Sequence, residues 1–88
     1  MNGGVAAMHD EVSVRSAILR LKKQNPDIHI NFQNAHPKVH LVNEPARIGR
    51  VYAHLFELEY TLDGRQHVKT WNYADVISRR IIILELES

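Results

Sequence analysis

Six histidines are the side chains of this sequence best suited to bind a metal or to transfer a proton near neutral pH. Three of them, His29, His40 and His54, lie in strand-like segments that a sheet could bring together, and imidazole is a good ligand for zinc or nickel. No His-x-x-x-His pair falls on a helical segment, and no histidine pair has a carboxylate at motif spacing. We therefore expect solvent-facing histidines, with no metal site and no cofactor. The full set is His9, His29, His36, His40, His54 and His67.

Nucleophilic catalysis requires a serine or similar group beside a positioned base. Three serines, Ser13, Ser16 and Ser78, occur in no nucleophile-type context, and the chain has no Gly-x-Ser-x-Gly motif. Gly49 and Gly64 stand alone, so no glycine-rich loop can cradle a phosphate. The sequence indicates a protein that is not an enzyme, with no evident small-molecule substrate.

Asp75 lies in a short link, Tyr73 to Ser78, between two strand-like runs. An aspartate here could be a catalytic carboxylate. In a tight helical turn, however, aspartate more often accepts hydrogen bonds from backbone N–H groups and fixes the turn. We favour this structural role for Asp75, and we expect Ser78 to cap or end the same turn.

Basic residues form three groups, on the helical segment, before the longest strand-like run and after the Tyr73–Ser78 link. The last group, Arg79 and Arg80, lies beside Trp71 and Tyr73, an arrangement that could stack and neutralise a nucleic acid. The alternative that the two aromatic rings fill the core is favoured. The candidate residues for binding nucleic acid or a partner are Arg15, Arg47, Arg50, Trp71, Tyr73, Arg79 and Arg80.

The composition describes one small domain without covalent cross-links. The chain has 88 residues, no cysteine and a net charge of +1, which excludes disulfides and thiolate zinc sites and argues against strong nucleic-acid binding. No apolar run approaches the ~20 residues that span a bilayer, and the start does not resemble a signal peptide. We expect a cytoplasmic protein without membrane contact, with a flexible tail at residues 1–10 and a single domain at 11–88.

One amphipathic helix is predicted over residues 12–25. Val14, Ile18 and Leu21 recur at helical spacing. Asp10 or Ser13 can cap its N-terminus, and the residue before Pro26 is forced out of the helical conformation.

Five strands are predicted after the helix. They cover residues 28–33, 39–42, 48–62, 66–72 and 81–86, with breaks at Asn34–Pro37 and Asn43–Pro45 and a hairpin turn at Asp63-Gly64. In the long third strand the buried face switches, from Val51 and Leu55 to Phe56 and Leu58, which indicates a bend or bulge. Closely spaced bent strands are typical of a closed or nearly closed barrel.

Two segments resemble the small Veg proteins of Gram-positive bacteria. Tyr52-Ala53-His54-Leu55-Phe56 is similar to their aromatic-x-x-aliphatic-Phe segment, and Trp71 to Ser78 is similar to their Tyr-Ala/Ser-Asp-Val-Leu/Ile-Thr/Ser stretch. The resemblance covers roughly residues 46–86. It implies a mainly β fold, a five-stranded, bent, antiparallel Sm-like or SH3-like barrel with an N-terminal helix. It also implies a regulatory or binding role without enzymatic activity.

A protein partner or self-association follows from the last strand as well as from the resemblance. Ile81 to Leu84 is apolar on both faces, so it either lies centrally or adds to the edge of another molecule. The simple alternative is that both faces are covered within the monomer, one of them by the N-terminal helix. Sm-like rings assemble through their fourth and fifth strands. We expect a regulatory or adaptor protein that acts through protein contacts. The alternative is weak RNA or DNA binding through Arg79, Arg80 and the basic helix face.

Overall fold

The first helix begins at the capping carboxylate that the sequence indicates. A computed structural model describes residues 10–36 and 38–87. Helix α1 spans Glu11–Gln24, and the Oδ1 atom of its N-cap, Asp10, accepts a hydrogen bond from the Ser13 backbone at 2.8 Å. Val14 and Ile18 are fully buried. The predicted helix is confirmed to within one residue at each end, and the predicted tail lies outside the described residues apart from Asp10.

Five antiparallel strands form a single sheet after α1. They are β1 (Asp27–Asn34), β2 (Val39–Val51), β3 (Leu55–Leu62), β4 (Arg65–Asn72) and β5 (Ile81–Ile83). The order across the sheet is β4-β3-β2-β1-β5. A short helix, α2 (Tyr73–Ile77), connects β4 to β5, and a 3₁₀ turn (Leu84–Leu86) follows β5. A mainly β fold with an N-terminal helix and five strands is confirmed. No helix in the described ranges is long and apolar enough to cross a membrane.

The predicted second and third strands are wrong in their boundaries. The chain does not break at Asn43–Pro45, because β2 continues through this segment to Val51, with Asn43 at a positive φ of 51°. Pro45 precedes the first β2–β3 pair, Ala46 with Tyr60, so at this point β2 has a strand on one side only. A proline, which cannot donate a backbone hydrogen bond, is tolerated there.

The predicted face switch marks a chain reversal and not a bend in one strand. β2 ends at Val51 and β3 begins at Leu55, and the residues between them form a turn. The β2–β3 register also shifts between Ile48 and Val51. Within this irregularity a Cβ on Gly49 would lie 3.2 Å from the Glu57 Cβ, so glycine allows the close approach of β2 and β3.

The β3–β4 hairpin follows its predicted turn. Asp63 and Gly64 have φ values of 54° and 75°, as a type I′ turn requires at both central positions. All eight residues of β3 pair with β4 without a register shift. The last predicted strand, in contrast, is too long, because the chain leaves the sheet after Ile83 and enters the 3₁₀ turn.

The sheet curls until its two sides touch. Phe32 of β1 and Trp71 of β4 are separated in the sheet by β2 and β3, yet their ring centroids lie 4.7 Å apart at 81°. This edge-to-face contact lies on the inner face of the sheet, the face that packs on the core. The core contains side chains from α1, α2 and every strand. Hydrogen bonds do not join β4 to β5, so the sheet is not closed.

Candidate functional site

Helix α2 holds the Tyr73–Ser78 link as a structural turn. Asp75 Oδ2 accepts a hydrogen bond from the Asn72 backbone N–H at 3.0 Å, at the N-terminus of α2. Ser78 is the C-cap, and its hydroxyl lies 3.4 Å from the carbonyl oxygen of Asp75. The predicted structural roles of Asp75 and Ser78 are confirmed.

The two candidate aromatic rings lie inside the molecule. Trp71 is 6% exposed and Tyr73 is fully buried. The Tyr73 ring stacks on Phe56 with centroids 5.5 Å apart, and the Trp71 indole lies against Phe32. Neither ring offers a face to a nucleic-acid base, so the candidate surface consists of the arginines alone.

Arg15 and Tyr73, which are far from the β2–β3 turn in the sequence, form hydrogen bonds to its backbone. The Tyr73 hydroxyl donates to the Tyr52 carbonyl, and the Leu55 carbonyl oxygen lies 3.1 Å from the same hydroxyl. Arg15 Nε donates to the Tyr52 carbonyl at 3.2 Å. Burial raises the pKa of Tyr73, and the nearby Arg15 guanidinium offsets part of that rise. Arg15, a candidate binding residue, therefore has a structural contact.

The Arg47 and Arg50 side chains also have partners within the chain. Arg47 forms an exposed ion pair with Asp27 at 3.1 Å. The hydroxyl of Tyr52 and the carboxylate of Glu57 raise the pKa of Arg50 above its ordinary value. These arginines are on strand β2, and neither lines the cleft that contains Arg79 and Arg80.

Arg79 occupies a backbone position that favours glycine. Its φ is 64°, its N–H bonds the Val76 carbonyl at 3.2 Å, and the Arg80 N–H bonds the Asp75 carbonyl at 2.9 Å. This is the Schellman pattern, whose left-handed residue is usually glycine because a Cβ is strained there. The Arg79 guanidinium contacts both carboxylate oxygens of Glu87, at 3.0 and 3.4 Å.

Arg79 and Arg80 line one cleft together with residues of β1, β2 and β5. We call it the arginine cleft. It has a volume of about 360 Å³, and no carboxylate is among the described residues that line it. Arg80 is 76% exposed, and its Nε lies 3.9 Å from Asp75. The lining residues are Asn31, Phe32, Gln33, His40, Leu41, Val42, Arg79, Arg80 and Ile82.

A second cleft of similar size has the opposite charge. Its volume is about 370 Å³, and Asp27, Glu44 and Glu59 line it together with Arg47 as the cationic residue. Tyr60, at its edge, is 8% exposed, and burial raises the pKa of its hydroxyl. Anions are therefore favoured at the arginine cleft and disfavoured here.

The outer side of β4 is an open sheet edge. β4 pairs with β3 on one side, and among the described residues no strand pairs with its other side, which we call the β4 edge. Of its eight residues all but Trp71 are exposed, and Val68 is 58% exposed. Lys69 is turned toward the core side, with its ammonium 5.1 Å from the Trp71 ring centroid and 5.7 Å from that of Phe32.

The histidines are distributed over separate sites. His29 bonds Glu85, His40 lines the arginine cleft, His54 lies in a cleft beside α1, and the His67 ring stacks on Tyr60 at 5.7 Å. Within residues 10–36 and 38–87, no three His, Asp or Glu side chains are arranged to hold a metal ion. His9 lies outside the described residues.

Comparison with protein-family models finds no match for this chain, and comparison with curated proteins finds none either. The sequence named Arg79 and Arg80 as candidate binding residues, but it did not identify the other residues that line their cleft. Asn31, Gln33 and His40 join it through the pairing of β1 with β2 and β5. No motif in the sequence reports such a pairing.

Proposed function

We propose that this chain is a non-enzymatic regulatory or adaptor protein of the cytoplasm, which acts by binding other protein chains. The observation that supports this most directly is the β4 edge. It presents an unbroken eight-residue ladder, without a bulge or proline, whose outer backbone groups have no strand neighbour among the described residues. An edge of this kind is a template for an added strand.

The side chains of the β4 edge leave room for a partner strand. Charged residues often protect sheet edges against unwanted pairing. Here the Lys69 ammonium lies over the Phe32 and Trp71 rings, away from the outer face. On that outer face, Val68 lies opposite Glu59 of β3 and gives the edge an exposed apolar centre. An extended segment of a partner protein fits this surface, and self-association is one form of the contact.

We also infer that the fold belongs to the Sm-like and SH3-like small barrels and that the chain is related to the Veg proteins. The strand order β4-β3-β2-β1-β5, the short α2 before β5 and the Phe32–Trp71 contact support this inference. An experimental structure in which the rings of Phe32 and Trp71 were far apart would contradict it.

Val68→Lys tests the β4 edge. The substitution adds a charge to the edge but places it opposite Glu59, so we expect the free energy of unfolding to change by no more than about 0.5 kcal/mol. Affinity capture with the full chain is expected to recover partners with the wild type and to lose them with the variant. Sedimentation across a concentration series is expected to show the same difference if the partner is a second copy.

Val12→Lys is the matched control, because Val12 is an exposed valine on α1 and is not part of β4. It is expected to bind partners as the wild type does. If Val68→Lys retains every partner and every self-association that the wild type shows, strand addition at the β4 edge is wrong.

Nucleic-acid binding through Arg79, Arg80 and the basic helix face is the alternative function. The cationic lining of the arginine cleft favours it. Against it, Arg15 contacts the β2–β3 turn and Arg20 lines a different groove beside Glu85, so the helix arginines do not extend the cleft. A salt titration with generic RNA tests this function, because phosphate contacts weaken as salt rises. Absence of binding at low salt would exclude it.

A further inference from the structure

We propose that the arginine cleft binds the phosphate group of a small phosphorylated molecule, a phosphate monoester such as a nucleoside monophosphate. The proposal concerns the β1–β2–β5 side of the sheet and does not depend on binding at the β4 edge. The two proposals can therefore be tested independently, and one can be wrong while the other is right.

The backbone at Arg79 is the first observation behind this proposal. A residue at φ 64° in a Schellman turn would be less strained as glycine. Residues in strained backbone conformations cluster at active sites and ligand-binding sites, so the strain points to a role for the Arg79 side chain. One role is visible, the contact of Arg79 with Glu87. The Arg79 and Glu87 side chains are 48% and 31% exposed, and ion pairs at the surface contribute little stability, so this contact does not by itself account for the strain.

The chemistry of the lining is the second observation. One guanidinium group can donate two parallel hydrogen bonds to two phosphate oxygens. The cleft is lined by two arginines, and no carboxylate is among the described residues that line it. The Asn31 side-chain oxygen accepts from the Asn43 backbone at 2.7 Å, so its amide nitrogen is the end that can donate to a ligand. Val42 and Ile82 supply apolar surface for the rest of the molecule.

The size of the cleft favours a small ligand over a long polyanion. A volume of about 360 Å³ is at the lower end of the range for small-molecule sites. Elsewhere on the molecule, Glu44 and Glu59 line the second, acidic cleft, which would repel a strand of nucleic acid that reached it. The cleft is open, and Glu87 and Asp75 neutralise part of the arginine charge, so we expect dissociation constants near 1 mM.

The test is an NMR titration of the full chain with inorganic phosphate, AMP, adenosine and a short oligothymidine, at low salt. Phosphate and AMP are expected to shift the amide signals of residues 31–33, 40–42 and 79–82, while adenosine is not. Absence of shifts with AMP at millimolar concentration would overturn the proposal. An oligothymidine that binds more than tenfold tighter than AMP would also overturn it, in favour of nucleic acid.

Arg79→Gly and Arg80→Gln identify the groups that bind. Each is expected to weaken AMP binding several-fold, whereas Arg65→Gln, an equal loss of charge at an exposed site on β4, is expected to leave it unchanged. Arg79→Gly relieves the backbone strain, so its midpoint of urea unfolding is expected to equal or exceed that of the wild type. If AMP bound the three variants equally, the site assignment would be wrong.

Discussion

The hydroxyl group of Tyr73 connects segments that are far apart in the sequence. It bonds the Tyr52 carbonyl in the β2–β3 turn, where Arg15 of α1 donates as well. The turn itself, Tyr52 to His54, contains none of the residues that usually mark a reversal. Contacts from α1 and α2 therefore hold a turn that local sequence does not encode.

Tyr73→Phe is expected to lower the free energy of unfolding by about 1 kcal/mol, as measured by urea denaturation. The loss is modest because the carbonyls of Tyr52 and Leu55 keep other donors, Arg15 Nε and the Tyr52 N–H respectively. Tyr52→Phe is the control, since Tyr52 is 41% exposed, and we expect a smaller loss. Equal losses for the two variants would show that the buried hydroxyl has no special role.

At the scale of elements, the Glu85 carboxylate connects the C-terminal 3₁₀ turn to β1. Glu85 Oε1 accepts a hydrogen bond from the His29 backbone N–H at 2.8 Å, and Glu85 Oε2 lies 2.7 Å from His29 Nδ1. Burial alone would raise the pKa of Glu85, but the hydrogen bonds from His29 outweigh it and the pKa lies below its ordinary value. The ionised carboxylate is therefore more favoured in the folded chain than in the unfolded one.

Glu85→Gln tests this contact through its dependence on pH. Because the folded pKa is lowered, the stabilising effect is complete above the ordinary glutamate pKa and is lost as the pH falls through the lower folded value. We expect the variant to be about 0.5 kcal/mol less stable near neutral pH, with the difference disappearing in strong acid. Denaturation across a pH series measures it, and a difference that persists in acid contradicts the assignment. In a His29→Ala background the substitution is expected to have less effect.

The sequence predicted well those elements whose ends are set by nearby residues, such as a helix cap or a hairpin turn. The Asp10 cap, the Pro26 boundary and the Asp63-Gly64 turn each act within a few residues, and α1 and the β3–β4 hairpin follow them. Pro45 wrongly predicted a break in the strand. A proline is tolerated there because β3 does not pair with β2 at that position, and this pairing cannot be read from the local sequence. The arginine cleft was hidden for the same reason, since strand pairing brings His40 beside Arg79.

At the scale of the whole molecule, a contact between side chains brings the two sides of the sheet together. Phe32 and Trp71 meet edge to face, and Lys69 covers both rings with its ammonium group. The indole N–H of Trp71 is buried without a hydrogen-bond partner among the described residues, which places a cost on this arrangement. The apolar contact with Phe32 must offset that cost.

Phe32→Ala is expected to destabilise the fold by about 2 kcal/mol, less than a fully buried phenylalanine, because Phe32 is only partly buried. Phe32→Leu keeps most of the contact and is expected to cost about 1 kcal/mol. Urea denaturation followed by circular dichroism measures both. If the alanine variant were as stable as the wild type, the Phe32–Trp71 contact would not contribute to holding the sheet curled.

The position of Trp71 makes its fluorescence an intrinsic probe of how the sheet unfolds. Trp71 is the one tryptophan in the sequence, and it lies where β1 and β4 meet. Its fluorescence therefore reports the separation of these two strands, whereas far-ultraviolet dichroism also follows α1. If the emission moves to longer wavelength before the dichroism falls, the sheet opens while the helix is still formed. Coincident transitions would mean that the helix and the curled sheet unfold as one cooperative unit.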